Sequence, residues 1–309
     1  MAPWTAADIP DLTGRTAVVT GANSGLGFQT ARMLAKRGAT VVLACRSLNN
    51  ADAAAERIRA TAPDAELRTV WLNLASLDSV RTAAEKLRAD HDRIDLLVNN
   101  AGAPSVEYRR TVDGFETTFA TNHLGPFAFT GLLLDRIAAV PGGRIVTVSS
   151  VTHKRATIEF DDLDNVRREY RYMVAYSQSK LANLLFTFEL QRRLASAGAA
   201  AIAVAAHPGA AQTGLVENMG KRIRQFNNAT LVKPVSRLLQ QPAAAGALPT
   251  VRAAVDPTVQ GGEYYGPAGF FGLKGAPVRV AAGASALDRE AQLRLWRESE
   301  SLTGVRYST

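Results

Sequence analysis

The fold is decided by Thr16-Ala17-Val18-Val19-Thr20-Gly21-Ala22-Asn23-Ser24-Gly25-Leu26-Gly27. A short β-branched run predicts a buried strand, and it leads directly into glycines that open a helical pattern. Glycines at such a turn permit a tight bend and let the backbone approach a pyrophosphate, while the helix N-terminus offers N–H groups to that anion. The alternative is an ordinary glycine-rich turn. The favoured interpretation is a dinucleotide site formed by Gly21, Asn23, Ser24, Gly25, Leu26 and Gly27.

The alternation of strand and helix continues along the chain. Further strands are predicted at 40–44, 67–71, 95–98, 144–148 and 201–205, and helices at 25–37, 50–61, 76–90, 117–137 and 175–197. Near-continuous apolar strands alternating with helices indicate a parallel sheet covered on both faces. The sequence therefore predicts an α/β fold: a Rossmann-type doubly wound parallel sheet of about seven strands, with residues 1–309 in a single domain.

Residues 210–245 break this rhythm with polar residues and glycines. Ligands of doubly wound sheets bind at the carboxyl ends of the strands. The segment is therefore predicted to cap that edge as a substrate-binding lid.

Composition restricts the class of protein. The chain has 309 residues and 47% hydrophobic content, with Cys45 as its single cysteine and four histidines. One cysteine cannot form an internal disulfide, and no metal-ligand spacing is present. No apolar run reaches the roughly 18 residues of a membrane span, and no secretory leader pattern opens the chain. The expectation is a soluble, cytoplasmic protein without a metal.

The net charge of +8 raises the question of nucleic acid binding. A basic balance permits non-specific attraction to phosphate. No helix-turn-helix, zinc-finger or RNA-binding signature accompanies the charges. The expectation is a solvated basic face and no nucleic acid partner, with affinity for an anionic cofactor or substrate as the alternative.

Tyr176 and Lys180 form a pair that could take part in proton transfer. Side chains four residues apart share one face of a helix. A phenol titrates near pH 10, too high for proton exchange at neutral pH, and an adjacent ammonium favours the phenolate. The pair alone could arise by chance, but other motifs agree with it.

An ordered set of motifs carries a resemblance to a known family. They are the glycine motif, Asn99-Asn100-Ala101-Gly102, Asn122 within Thr121–Gly125, Val148-Ser149-Ser150, Tyr176 with Lys180, and His207-Pro208-Gly209 with Thr213, followed by Gly262-Glu263-Tyr264-Tyr265-Gly266-Pro267. The chain resembles the short-chain dehydrogenase/reductase family and is similar to its retinol dehydrogenase-like branch. The resemblance covers nearly the whole chain.

The resemblance implies a catalytic group. Tyr176 would exchange a proton with the substrate oxygen, and Lys180 would lower the pKa of the tyrosine and hold the nicotinamide ribose. Ser150 would hydrogen-bond the reacting oxygen, with Ser149 as the alternative for that role. Asn122 would hold a water that links Lys180 to solvent.

The resemblance also implies further cofactor contacts, and the chain departs from the family pattern at two places. The implied contacts are Asn73, Leu74, Asn100, Ala101, Gly102, Tyr176, Lys180, Pro208, Gly209 and Thr213. Asn73 replaces the usual aspartate near adenine. Residues 153–172 form an insertion that lengthens the separation of Ser150 and Tyr176; the insertion is typical of the retinol dehydrogenase-like branch and is expected to share in substrate specificity.

Cofactor choice depends on the end of the second strand, where Cys45 occupies the position expected for an acid and Arg46 follows. An acidic residue there would accept a hydrogen bond from the ribose 2′-OH of NAD. A guanidinium can instead pair with a 2′-phosphate. The sequence favours NADP. The alternative is NAD, and Arg46 would then be a solvated surface residue.

The function implied is that of an NADP(H)-dependent oxidoreductase. It would interconvert an alcohol and a carbonyl on a small lipophilic substrate that is retinoid-, steroid- or xenobiotic-like. The alternative is a catalytically silent NADP-binding regulatory or interaction protein.

The resemblance further implies a homodimer or homotetramer formed through helices 117–137 and 175–197. Aromatic and aliphatic side chains on these helices are too many to face one sheet: Phe119, Phe127, Phe129, Leu185, Phe186 and Phe188. Some are therefore expected to meet a partner chain. The alternative is a monomer in which the insertion or residues 280–309 cover this surface.

Overall fold

An eight-stranded sheet lies at the centre of a computed structural model that describes residues 2–211 and 241–308. The strands are β1 (Thr16–Thr20), β2 (Thr40–Cys45), β3 (Leu67–Trp71), β4 (Leu96–Asn99), β5 (Arg144–Val148), β6 (Ile202–Ala206), β7 (Tyr264–Pro267) and β8 (Pro277–Arg279). Their order is β3-β2-β1-β4-β5-β6-β7-β8, and only the last pairing of this sheet is antiparallel. The predicted doubly wound parallel sheet is confirmed, with one strand more than expected.

Helices cover both faces of the sheet. They are α1 (Gly25–Ala35), α2 (Leu48–Arg59), α3 (Leu77–Asp90), α4 (Thr117–Phe119), α5 (Gly125–Leu133), α6 (Tyr172–Ser196), α7 (Ala243–Val255) and α8 (Arg289–Thr303). The side chains of β1 alternate between the faces, as the two-residue period of a strand requires. Ala17 and Val19 pack with α1, α2 and α7, whereas Val18 packs with α3, α5 and α6. Burial on both sides explains why the strands read as continuous apolar runs.

The predicted helix 117–137 is not continuous. A π-helical turn, Ala120–Leu124, joins α4 to α5. Pro126 follows the turn at the start of α5 and has no N–H to bond the carbonyl of Asn122 four residues earlier. π-Turns inside helices are frequent at functional sites, and this one carries Asn122.

The surface expected to meet a partner chain is largely covered within the chain itself. Phe119, Phe127, Phe129, Leu185 and Phe186 are all buried. On one side, α8 and the residues after it pack against this group. The ring centre of Phe127 lies 5.2 Å from that of Trp296 and 4.9 Å from that of Tyr307. These side chains therefore do not require a partner chain, because the C-terminal helix and the residues after it pack against them within the chain. The homodimer or homotetramer stays a prediction.

The insertion 153–172 contacts the loop that precedes α4. The Tyr170 hydroxyl lies 2.8 Å from the Ser105 carbonyl oxygen and 3.0 Å from Glu116 Oε1. Glu116 in turn accepts from the N–H groups of Thr118 and Phe119, so it caps the short helix α4. The insertion thus supports the segment that leads to Asn122.

None of the helices in residues 2–211 and 241–308 is both long and apolar enough to cross a membrane. The cytoplasmic location stays a prediction.

Candidate active site

A cavity of about 580 Å³ opens at the carboxyl ends of β1, β2, β4, β5 and β6. The strand order reverses between β1 and β4, which is where open α/β sheets bind ligands. The predicted site residues that line the cavity are Gly21, Asn23, Ser24, Gly25, Leu26, Gly27, Arg46, Asn73, Leu74, Asn100, Ala101, Gly102, Ser150, Tyr176, Lys180, Pro208 and Gly209. Asn122 lies behind this lining, and Thr213 lies outside the described residues, as does most of the predicted lid 210–245.

In the glycine turn between β1 and α1, Gly27 has no space for a side chain. Gly21 adopts φ +66°, a left-handed conformation that favours glycine. A Cβ at Gly27 would overlap the Gly21 carbonyl oxygen and the Asn100 side-chain amide. The glycines therefore bring the start of α1 against the strand ends, as the dinucleotide hypothesis requires.

Thr20 ties this turn to the turn after β4. Its Oγ1 accepts from the N–H groups of Asn100 and Ala101 at 3.0 Å each. In the opposite direction, Asn100 Nδ2 donates to the Thr20 carbonyl at 2.8 Å. These three bonds fix the distance between the two edges of the crevice.

The N-terminus of α1 faces the cavity and suits an anion. Ser24 is its N-cap residue, yet its hydroxyl makes no capping hydrogen bond within the described part of the chain. The first backbone N–H groups of a helix have no partner within the helix, and they carry partial positive charge. This end of the cavity fits the pyrophosphate of a dinucleotide cofactor.

Cys45 and Arg46 occupy the position that distinguishes the two nicotinamide cofactors. The Cys45 side chain is buried and lies against the backbone N–H groups of Ala22 and Asn23, while Arg46 is exposed at the cavity. Burial raises the pKa of the Cys45 thiol to about 11, so the group is neutral. No carboxylate projects from these two positions toward a bound ribose.

Asn73 stabilises its own loop and also lines the cavity. Its Oδ1 accepts from the N–H of Ala75 at 3.2 Å, which orients the side-chain amide. The neighbouring Leu74 packs against Gly125, where a Cβ would meet the Leu74 side chain at 2.9 Å. The loop after β3 is thereby held against the start of α5.

Tyr176, Ser150 and Lys180 converge at the other end of the cavity. Ser150 follows β5, and its hydroxyl lies close enough to the phenol of Tyr176 to lower the pKa of that phenol. Lys180 Nζ lies 5.6 Å from the centre of the Tyr176 ring and donates to the Val148 carbonyl at 3.0 Å. The helical spacing predicted for the pair is confirmed, because both residues lie on α6.

The pKa of Tyr176 is not lowered in this arrangement. Burial raises it to about 12, because a phenolate is poorly solvated there, and the hydrogen bond from Ser150 opposes the increase only in part. Burial also lowers the pKa of Lys180 to about 8. The expectation that Lys180 brings the phenol into the neutral range is not met: the pKa of Tyr176 stays raised by burial, while the Lys180 ammonium donates to the Val148 carbonyl.

Ser149 and Ser150 have different surroundings. Ser149 is buried and donates to the Lys180 carbonyl at 2.7 Å, so its hydroxyl connects β5 to α6. Ser150 begins a short 3₁₀ helix, Val151–Arg155, and accepts from the Thr152 N–H at 3.3 Å. These contacts favour Ser150 as the hydroxyl that faces a ligand beside Tyr176.

Gly102 brings Asn122 and Lys180 close together. A Cβ at this glycine would lie 2.9 Å from Lys180 Nζ and 3.0 Å from Asn122 Oδ1. Asn122 Oδ1 also accepts from the Ala103 N–H at 3.0 Å. The absence of a side chain at position 102 therefore leaves room for both polar groups at the floor of the cavity.

Comparison with known proteins agrees with this site. A family model described as short chain dehydrogenase matches residues 15–224. The chain belongs to this family. It is an NAD(P)-dependent oxidoreductase that acts on CH–OH groups.

Named relatives of this dehydrogenase are similar over most of its length. Retinol dehydrogenase 13 from Homo sapiens is 41% identical over 296 residues, which cover 95% of this chain and 86% of that protein. Retinol dehydrogenase 12 from Homo sapiens is 35% identical, with 96% and 88% covered. A crystal structure of an uncharacterised protein from Mycobacterium paratuberculosis is 41% identical, covers 100% of both chains and has a TM-score of 0.81.

Further residues of the dehydrogenase line the cavity and were not predicted. They are Ala44, Leu72, Ala103, Thr121, Val148, Val151, Thr152, Met173, Ala210, Ala211 and Leu273. Leu72 directly follows a predicted strand, and Ala44 and Val148 end predicted strands, so strand ends alone could have indicated these three. Leu273 could not be found in this way, because it reaches the cavity from the β7–β8 connection, where its carbonyl accepts from the Ala210 N–H. None of residues 153–172 is part of the described lining, although the residues on either side of this insertion, Thr152 and Met173, are.

We expect Gly27→Ala to weaken NADP(H) binding about tenfold or more, because the new methyl must displace the Gly21 carbonyl or Asn100. Alanine is the better helix former by up to about 1 kcal/mol, so a loss of helix stability would not explain the change. The measurement is cofactor affinity by fluorescence titration.

Gly114→Ala is the matched control for this change. Gly114 has open space around a Cβ and a φ of +88°, so alanine there should cost about 1 kcal/mol of stability. Its cofactor affinity should equal that of the wild type. Wild-type affinity in Gly27→Ala would contradict the assignment of the turn.

Proposed function

We propose that this dehydrogenase uses NADP(H) to interconvert an alcohol and a carbonyl on a small lipophilic substrate, with Tyr176 as the acid and base. The observation that carries the proposal is the convergence of Tyr176, Ser150 and Lys180 at one end of a cavity whose other end is the glycine turn. When bound, the nicotinamide cofactor would supply or take up the hydride. The residues of this chain would bind the cofactor, orient the substrate and exchange the proton with it.

Tyr176 suits the donation of a proton to a carbonyl. With a pKa of about 12, its phenol holds its proton at neutral pH. The Ser150 hydroxyl lies beside the phenol and both residues line the cavity, so a carbonyl oxygen between the two hydroxyls would receive two hydrogen bonds. Such bonds stabilise the charge that develops on the oxygen in the transition state.

Lys180 and Asn122 support this proton transfer. With a pKa of about 8, Lys180 is mostly protonated at neutral pH, and it is buried next to Tyr176. Its proposed roles are to hold the nicotinamide ribose and to favour the phenolate once the proton has left. Asn122 would hold the water that returns a proton to Lys180 from solvent.

The preference for NADP rests on Arg46. Its guanidinium is exposed at the cavity, on the side where Asn23 of the glycine turn also lines it. A fork of N–H donors matches a phosphate group. The neutral Cys45 thiol faces the protein interior, so no acid at that position repels a 2′-phosphate.

The lipophilic substrate class is supported by the lining beside Tyr176. Val151, Met173 and Leu273 face the cavity there. Apolar side chains with a few convergent polar groups are typical of small-molecule sites. The relatives named retinol dehydrogenases are consistent with a retinoid, and steroids and xenobiotic carbonyls fit the same chemistry.

We expect Tyr176→Phe to lower kcat by about 10²–10⁴-fold while NADPH affinity changes little, because the ring still packs but has no proton to transfer. The measurement is loss of nicotinamide absorbance with a panel of aldehydes and ketones. Tyr172→Phe is the control, since Tyr172 lies one turn earlier on α6 and is not part of the described cavity lining. Retention of more than about a tenth of the wild-type rate in Tyr176→Phe would exclude it as the acid.

We expect Arg46→Ala to weaken NADPH binding by roughly 1.5–3 kcal/mol and to leave NADH binding almost unchanged, because one charged hydrogen-bonding group is lost. Arg68→Ala removes the same charge from an exposed position near the opposite end of its strand, β3, and should alter neither affinity. Equal losses for both cofactors in Arg46→Ala, or a wild-type preference for NADH, would refute the role of Arg46.

A further inference from the structure

Ser179 is a buried residue of α6 that the proposed mechanism does not use. Its hydroxyl donates to the Tyr176 carbonyl at 2.7 Å, one turn earlier on the same helix. The same oxygen accepts from Asn122 Nδ2 at 3.0 Å. Ser179 therefore joins the backbone of Tyr176 to the side chain of Asn122, across the boundary between α6 and the π-helical turn.

The orientation of the Asn122 amide follows from these bonds. At one end of the amide, Oδ1 accepts from the Ala103 N–H, and at the other end Nδ2 donates to Ser179. A rotation by half a turn would place Nδ2 against the Ala103 N–H, which is also a donor. It would place Oδ1 against a hydroxyl whose single proton already bonds the Tyr176 carbonyl.

This orientation has a consequence for Lys180. Asn122 Oδ1 and Lys180 Nζ both lie within 3.0 Å of the position that a Cβ on Gly102 would take. An amide oxygen on that side favours the ammonium, whereas an NH₂ group would disfavour it. Nζ also contacts the Val148 carbonyl from β5 and lies over the Tyr176 ring from α6.

We infer that Ser179 is a positioning residue, which fixes the Asn122 amide with its oxygen toward Lys180 and so maintains the proton path to Tyr176. The inference rests on the proposed function of Tyr176 and Lys180. Ser179 acts through Asn122 and does not touch the substrate. A buried amide that loses its acceptor is left with an unsatisfied donor and gains freedom to rotate.

The first test is a double-mutant cycle with NADPH and the carbonyl compound that the wild type reduces fastest. Ser179→Ala should lower kcat about tenfold, which corresponds to about 1.4 kcal/mol, with KM nearly unchanged. In the Asn122→Ala background, the same change should have no further effect, because no amide remains to be oriented. If the fall in kcat of the double variant equals the product of the falls in the two single variants, the inference is overturned.

The pH profile of kcat gives a readout that a merely structural role would not move. With the amide free to rotate, the pKa of Lys180 should fall, so the loss of activity at high pH should begin at a lower pH in Ser179→Ala. Ser177→Ala, on the same helix, should keep the wild-type profile. An unchanged profile in Ser179→Ala would also overturn the inference.

NMR of the cofactor-free protein tests the contact itself. The Asn122 side-chain NH₂ signal, assigned by its loss in Asn122→Ala, should exchange slowly in the wild type and faster in Ser179→Ala. Equal exchange rates would show that Ser179 does not hold the amide. If Ser179→Ala does not fold, Ser179→Cys replaces it, because sulfur is a weak acceptor.

The outcome for Tyr176→Phe separates the two proposals. If that variant keeps its turnover, the proposed function fails. If it loses turnover while the Ser179 cycle is multiplicative, only the positioning role of Ser179 fails.

Discussion

The hydrogen bonds between Thr20 and the turn after β4 are the constraint on which the site depends. They join the carboxyl ends of two adjacent parallel strands at the point where the strand order reverses. Because this connection is fixed, Gly21 and Gly27 can bring α1 close to the strand ends. The turn after β4, which this connection fixes, also places Gly102 next to Lys180 and Asn122. The cofactor end and the proposed catalytic end of the cavity are thus set by one local arrangement.

Burial sets the electrostatics at the proposed catalytic end. It raises the pKa of Tyr176 to about 12 and lowers that of Lys180 to about 8, so both groups are driven toward their neutral forms. A buried phenol that retains its proton suits proton donation to a carbonyl. A buried amine depends on oriented dipoles to stay protonated where no charged side chain acts on it, and none does so among residues 2–211 and 241–308. The Val148 carbonyl and the Asn122 amide provide those dipoles.

The sequence predicted the parts of the fold and site that are local. Each of the strands 16–20, 67–71 and 144–148 is confirmed to the residue, because an apolar run bounded by turns determines a buried strand. The glycine turn and the helical spacing of Tyr176 and Lys180 are local for the same reason. For Phe127 and Phe186, the sequence offered packing by residues 280–309 only as one alternative, because Trp296 is distant in the chain and neither helix pattern specifies it. The approach of Leu273 to the cavity is non-local in the same sense.

Transfer of deuterium from nicotinamide-deuterated NADPH to a carbonyl compound tests the central claim most directly. The account predicts a product alcohol that carries one deuterium on the former carbonyl carbon with the wild type, and almost none with Tyr176→Phe at the same protein concentration. If NADPH binds the wild type but no member of a broad panel of aldehydes and ketones acquires deuterium, the account is contradicted. The chain would then be a cofactor-binding protein without turnover on this class of substrate.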